Sequence, residues 1–346
     1  MTLISMDIRE ITDYNLWQSF FEENDSPSFL QSWEWGEVQQ KMSYEILRLG
    51  IYKNNLLVGI SLVIKIKSRR GNFLFIPHGP IFSRQSGIPP VAGQFLISYL
   101  KKLAKQENFS FIRIAPIVED NPSNRKMFED LSFKTAPIYM HAERTWILDL
   151  NKTEQELLNS MRKTTRYLIK RSDRDGVVIE ERTGEKAFDD FWRIYKETAN
   201  REKFIPYSLK YVKSEFEEFN KTKNALFLFG RVKNQTIGPV AAVLILFTKS
   251  SGFYHQGASI HTKFPVTYRL QWEAILRAKK RGCSLYNFWG IKQEGRTPKD
   301  WDGLTMFKTG FGGRQIDYVP TQDLIISPKY YLTYIYEKYL AWKRGV

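Results

Sequence analysis

An α/β fold built as a tandem duplication is the architecture the sequence predicts. Three observations carry it. The chain has 346 residues, more than one ordinary hydrophobic core supports. A strand meander, a helix and a strand follow one another twice. Matched residues recur at a near-constant long offset: Gly59/Gly238, Gly79/Gly257 and Ala104/Ala278 stay 174 to 179 positions apart, which marks repetition of a domain-sized unit.

The elements follow in order. Asp13 to Phe21 is a short helical pattern, and Ser32 is placed to N-cap a helix starting at Trp33. YEILRLGIYKNNLLVGISLVIKIKS alternates and is rich in Ile, Leu and Val, so it reads as a hairpin turning at Asn54-Asn55. NFLFIPHGPIFS is a further strand ending in a Pro/Gly turn, VAGQFLISYLKKLAKQENF has helical spacing, and SFIRIAP is a strand. The order returns in ALFLFGRVKNQTIGPVAAVLILFTKSSGFYHQGAS, PVTYRLQWEAILRAKKRGC and SLYNFWG. LAKQENFSFIRI and RAKKRGCSLYNF then align in one register: Ala-Lys, a turn, Ser, an apolar strand. Between the repeats, Thr153 and Glu156 form a capping box. The 25 or so residues from Asn151 to Gly176 suffice for one helix of ordinary length, too few for a long coiled-coil arm. Leu157, Leu158, Met161, Leu168 and Ile169 supply its apolar stripe, and Arg162, Arg166 and Lys170 one basic face. That face fits a solvated helix surface or a track for a phosphate backbone equally. The tail reads as a strand, a Pro break and an aromatic amphipathic helix, suited to packing back on the first repeat. The expected domains are 1–145 with 317–346, and 146–316.

Composition narrows the function. Hydrophobic residues make up 42% and charged residues 26%, a folded composition. The formal charge of +15 favours polyanionic partners such as nucleic acid, nucleotide diphosphates or anionic lipid heads. Cys283 is the only cysteine, which excludes an intrachain disulfide and a thiolate metal cluster and suits a reducing cytoplasm. No apolar h-region stands in the first 13 residues. The longest apolar stretch, Pro239 to Phe247, falls far short of the ~20 residues that cross a bilayer. The expectation is a cytoplasmic protein without a transmembrane segment, compatible with peripheral contact at a membrane surface.

Each repeat has the order of the central part of the GNAT acyltransferase fold, where the acyl donor sits between two splayed strands. Use of acetyl-CoA there calls for a Gly-rich phosphate cradle. Neither GPIFSRQSGIPPVAGQF nor GASIHTKFPVTYRLQW has a Gly-x-Gly. A GNAT-like fold without that cradle implies another acyl donor and no cofactor. The four His (His78, His141, His255 and His261) show no metal-ligand spacing, and no nucleophile elbow, Walker A or dinucleotide fingerprint is present. No metal is expected. Direct transfer driven by positioning and electrostatics remains.

FLQSWEWGEVQ, ELLNSMRKTTRYLIKRSDRDGV, YRLQWEAILRAKKRGCSLYNFWGI and GLTMFKTGFGG, in this order over nearly the whole chain, resemble the successive signatures of the Fem family. These are aminoacyl-tRNA-dependent transferases that build peptidoglycan interpeptide bridges. The resemblance implies two GNAT-like domains, a donor esterified to tRNA, and an acceptor amine on a nucleotide- or lipid-linked peptidoglycan precursor. Lys308 matches the family lysine near the reacting ester, and Phe307 its neighbour. The other reading of Lys308 is a surface lysine at an element's end. Arg201 resembles the arginine that contacts the precursor diphosphate, and Tyr254 a tyrosine lining the same cleft, although a core tyrosine fits there as well. Gln39 stands where some relatives carry a second diphosphate-binding lysine; Lys41 lies two residues on. Two other functions remain open at this point. One is a GNAT-like aminoacyl transferase acting on a protein N-terminus or a small metabolite. The other is a non-catalytic tRNA- or envelope-binding module.

Overall fold

The computed structural model describes residues 5–69, 71–83, 90–233 and 238–345, with the backbone alone at Pro90 and Lys299. Part of the first repeat's cradle stretch, at 84–89, lies outside them. The chain divides into two compact units. The first comprises Met1–Arg144, Lys292–Trp301 and Ile316–Val346, and the second Thr145–Ile291 and Asp302–Gln315.

The first unit opens with β1 (Met6–Glu10), α1 (Tyr14–Glu23) and α2 (Trp33–Lys41). The Asp13 and Ser32 side chains N-cap the two helices, accepting from Leu16 N and Trp35 N. A meander follows: β2 (Glu45–Lys53), β3 (Leu56–Ser68), β4 (Gly71–Pro77) and the short β5 (Ile81–Phe82). The β2–β3 turn is made by Asn54 and Asn55, both at positive φ, as the primed hairpin turns require. Then come α3 (Pro90–Gln106), β6 (Phe111–Ala115), α4 (Pro122–Asp130) and β7 (Lys134–Thr135). Leu96, Leu100 and Ala104 of α3 pack on Leu74, Ile76, Ile112 and Ile114 of the sheet.

The second unit runs β8 (Arg144–Asp149), α5 (Glu154–Ser160), α6 (Lys163–Arg174), β9 (Val177–Arg182), α7 (Glu185–Glu202) and α8 (Leu209–Lys221). Its meander is β10 (Ala225–Val232), β11 (Ala241–Phe247) and β12 (Ser251–Ser259), followed by α9 (Val266–Lys280), β13 (Leu285–Gly290), α10 (Asp302–Thr309) and β14 (Arg314–Asp317). Leu270, Ile275 and Ala278 of α9 pack on one sheet face with Leu228, Val243 and Ile245. On the other face Phe227 meets Phe191 of α7 and Phe216 of α8. The chain ends in β15 (Gln322–Ile325) and α11 (Tyr330–Arg344), both in the first unit.

The sheets repeat one another. Their orders are β1-β2-β3-β4-β6-β15-β7 and β9-β10-β11-β12-β13-β8-β14. In each, the strand after the helix joins the meander in parallel, β4 to β6 and β12 to β13, and takes an antiparallel neighbour on its far side. The aligned sequence segments are equivalent to single hydrogen bonds. Phe109 N donates to Ala104 O at 2.8 Å and Cys283 N to Ala278 O at 3.1 Å. Asn108 (φ 59°) and Gly282 (φ 84°) are the left-handed residues that end the two helices.

Two expectations are corrected. The single helix between the repeats is two, α5 and α6, because Met161 and Arg162 are extended (ψ 155° and 141°). The Thr153–Glu156 box caps only the first of them. The tail's single strand is likewise two, β14 in one sheet and β15 in the other. The 151–176 interval holds only these two short helices and no coiled-coil arm.

Candidate active site

In the second unit β12 and β13 pair only over Ser251–Phe253 and Leu285–Asn287. Beyond Phe253 and Asn287 the two strands run on without pairing to each other, so a gap opens between them. Two irregularities shape its lips. On β12 an extra residue, His255, interrupts the register with β11 between Gln256 and Tyr254. On β13 the register with β8 shifts between Asn287 and Gly290. There Trp289 adopts φ 65°, a left-handed conformation that costs a bulky residue free energy and needs local support. The Asn287 side chain supplies it, accepting from Trp289 N at 2.8 Å.

This kink sets the Gly290 carbonyl against Lys308. The Lys308 Nζ donates to Gly290 O at 2.5 Å and lies 5.8 Å from the centre of the Tyr254 ring on β12. One ammonium thus bonds to one lip of the splay and stands within cation–π range of the other. Lys308 is 5% exposed, so it is not a surface lysine, and among the described residues no carboxylate pairs with it. Burial lowers its pKa from 10.5 to about 7, because desolvation disfavours the charged form. Burial also pushes the Tyr254 hydroxyl up to about 12, leaving it a neutral hydrogen-bonding group.

The helix carrying Lys308 is held from several sides. Phe307 packs edge-on against Tyr268 (5.3 Å) and Phe311 (5.2 Å), so its ring belongs to the core wall under α10. Arg162 donates to Met306 O and Thr309 Oγ1, each at 3.2 Å. Trp146 Nε1 donates to Gly312 O at 2.6 Å. At Gly313, φ is 98° and an added Cβ would lie 2.1 Å from Ile147 O. Only glycine lets the chain turn there against β8.

The other sequence-derived candidates fall as follows. Tyr254 and Lys308 meet. Arg201, in the last turn of α7, reaches the C-terminal end of β12: it donates to Ser259 O at 2.5 Å and pairs with Glu202 at 2.8 Å. Gln39 is buried on α2 of the first unit. The basic face proposed for the inter-repeat helix is partly corrected. Arg162 precedes α6 and docks α10, and Arg166 caps the end of α5 through the carbonyls of Leu158, Asn159 and Met161. Lys170 remains exposed. Sequence reasoning misses Asn287 and Trp289; Asn287 carries one signal, its match to Arg113 in the repeated strand, where Arg113 is also buried, and Trp289 carries none.

Gly257 fixes Tyr254. A Cβ there would lie 1.9 Å from the Tyr254 hydroxyl and 2.6 Å from Cζ. Gly257→Ala is therefore expected to swing the ring away from Lys308 and slow the site's reaction about ten- to a hundredfold, with about 1–3 kcal/mol of overpacking. Single-turnover rates and a denaturation curve check this. Unchanged values for both would show that the ring position is unimportant.

The sequence matches the FemAB family over residues 12–235 and 212–338. A lipid II:glycine glycyltransferase of Staphylococcus epidermidis is 19% identical, with 91% of this chain and 92% of that protein covered. Among solved structures, FemX superposes with a TM-score of 0.83 at 17% identity, over 96% of this chain and 100% of its own. A tandem GNAT protein from the clavulanic acid biosynthesis pathway superposes at 0.57 and 10% identity, over 94% and 99%. The fold is thus a pair of GNAT-like domains.

Proposed function

The chain belongs to the FemAB family, and on that footing we propose that it moves an amino acid from aminoacyl-tRNA to the stem-peptide amine of a peptidoglycan precursor, forming an interpeptide bridge. The observation that carries the chemistry is the buried Lys308 ammonium set between the lips of the β12–β13 splay, bonded to Gly290 O and within cation–π range of Tyr254. The acceptor amine attacks the ester carbonyl carbon, a C–N bond forms, and the π electrons move to oxygen. Lys308 stabilises that oxyanion. Collapse breaks the bond to the ribose oxygen, which takes up a proton released by the amine. No covalent enzyme intermediate is needed. Arg201 and Tyr254 bind the acceptor, with Arg201 suited to a diphosphate through its planar fork. Phe307 supports the lysine helix. The relative's name specifies a lipid-linked acceptor and glycine; the same class of acceptor is the first to test here.

The tRNA reading draws on α6. Lys163, Tyr167, Lys170 and Arg174 share one exposed face of that helix, over about 16 Å of helix length. Lys163 and Arg162 stand at the positive end of the helix dipole, where cations are disfavoured. A bound phosphate backbone would offset that. Because Arg162 ties this end of α6 to the Lys308 helix, an RNA whose 3′ ester sits at Lys308 has a basic path leading away from it.

The test incubates purified protein with a set of labelled aminoacyl-tRNAs and lipid- or nucleotide-linked precursors, and reads products by mass spectrometry. The expected product is the precursor plus one amino-acid residue. Donor binding is expected to weaken steeply with salt, by orders of magnitude between about 50 and 200 mM. Replacing Lys163, Lys170 and Arg174 with Gln should flatten that dependence. Transfer from acetyl-CoA, or tRNA binding indifferent to salt, would overturn the donor assignment.

A further inference from the structure

The C-terminal helix α11 has two apolar faces, of which the fold uses one. Tyr330, Thr333, Glu337 and Ala341 are buried. Tyr330 packs edge-on against Phe111 at 5.1 Å, and Glu337 pairs with the buried Arg113. The opposite face carries Leu332 (75% exposed), Ile335 (66%), Tyr339 (51%) and Trp342 (75%), at spacings that align them along one outward stripe. Large apolar side chains left contiguous in water mark an interaction surface.

The charge around the stripe identifies its partner. Lys329, Lys338, Lys343 and Arg344 are exposed. Lys338 lies to one side of the stripe, and Lys329 and Lys343 to the other. The only acid of the helix, Glu337, faces inward to Arg113. An aromatic and aliphatic stripe bordered by cations, on a helix of about 22 Å, has the composition of a helix lying in the headgroup region of an anionic bilayer. Among the described residues no helix is long and apolar enough to cross a membrane, so the contact is peripheral. We propose that the outer face of α11 docks the protein on an anionic phospholipid surface. A second copy of the chain fits less well, because pairing two such helices would bring their cations together without a counter-charge. Docking would give a lipid-linked acceptor an advantage over a soluble one, a consequence that rests on the function proposed above.

Co-sedimentation of the full chain with vesicles tests this. Binding is expected to phosphatidylcholine vesicles containing about a third phosphatidylglycerol, and to be weaker by about tenfold or more on phosphatidylcholine alone. Leu332→Ser, Ile335→Ser and Trp342→Ser together should abolish binding. Lys329→Gln, Lys338→Gln and Lys343→Gln, which leave the apolar stripe in place, should remove the preference for anionic lipid. With the serine variant, transfer to a vesicle-embedded precursor should fall while transfer to a nucleotide-linked one is unchanged. If wild-type protein transfers to neither, the functional reading fails and the vesicle result stands by itself. Equal sedimentation of wild type and the serine variant would overturn the proposal. So would a dimer in analytical ultracentrifugation that the serine variant dissociates while neither protein binds vesicles.

Discussion

Replacing Lys308 with methionine is expected to slow transfer by about 10²–10³-fold, the loss seen when one oxyanion donor is removed, and to make the protein more stable. Both effects come from one property. Among the described residues the buried ammonium has a single carbonyl ligand and no counter-charge, so the fold bears a desolvation penalty that an apolar side chain of similar length avoids. The gain should be about 1–3 kcal/mol near neutral pH. Its pH dependence has a fixed sign. The folded-state pKa is about 7 against 10.5 for a free lysine. Between those values the unfolded chain binds more protons, and wild-type stability rises with pH. The advantage of the methionine variant is therefore largest below about pH 7 and shrinks toward 10.5. Arg201→Ala should instead raise the acceptor KM with little change in kcat, as loss of uniform binding does. Denaturation curves and single-turnover transfer measure these effects. A methionine variant that is less stable would mean Lys308 has a structural role, and one that turns over normally would mean it is not the oxyanion donor.

The second large effect is in the first unit. Arg113, Asp323 and Glu337 form a buried network: the guanidinium donates to both Asp323 oxygens at 2.7 Å and to Glu337 at 2.7 and 2.9 Å. Desolvation pulls the Arg113 pKa down, but hydrogen bonds and charge from Asp323 and Glu337 outweigh it and leave it raised. Tyr330 adds a 3.2 Å hydrogen bond to Asp323. These contacts tie β15 and α11 to β6. Arg113→Ala strands two carboxylates in the interior and should cost about 3–5 kcal/mol. Combined Arg113→Met, Asp323→Leu and Glu337→Leu should recover much of that, since the intact network itself is close to neutral in net stability. A loss under about 1 kcal/mol for Arg113→Ala would show that the network is hydrated and the tail held by apolar packing alone.

What the sequence made legible was local or repeated. Ser32 and the Thr153–Glu156 box were readable because a cap and its donor lie within three residues. The duplication was readable because Ala104 and Ala278 end their helices through the same hydrogen bond. What was hidden depended on distant partners. Arg113 finds its acids 210 and 224 residues away, and in SFIRIAP it is one charge in an apolar strand. Arg162 and Arg166 fit a solvated face or a phosphate track equally in the sequence, but in the fold Arg162 binds Met306 O and the Thr309 hydroxyl, and Arg166 binds carbonyls at the end of α5. The motif pointed to Lys308. Its burial, the lack of a counter-ion among the described residues and the Trp289 kink that aims Gly290 at it required the fold.

The charge state in which Lys308 acts is the centre of this mechanism, and the pH dependence of single-turnover transfer reads it. Below its own pKa the acceptor amine contributes one unit of slope to log kcat/KM against pH. If the Lys308 ammonium is the active form, that slope should hold up to about pH 7 and flatten above it, as Lys308 loses its proton. Lys308→Arg, charged throughout, should keep the unit slope across neutrality at a lower rate. A wild-type slope of two below about pH 7 falling to one above it would instead make Lys308 a neutral base, and would contradict the oxyanion role assigned to it.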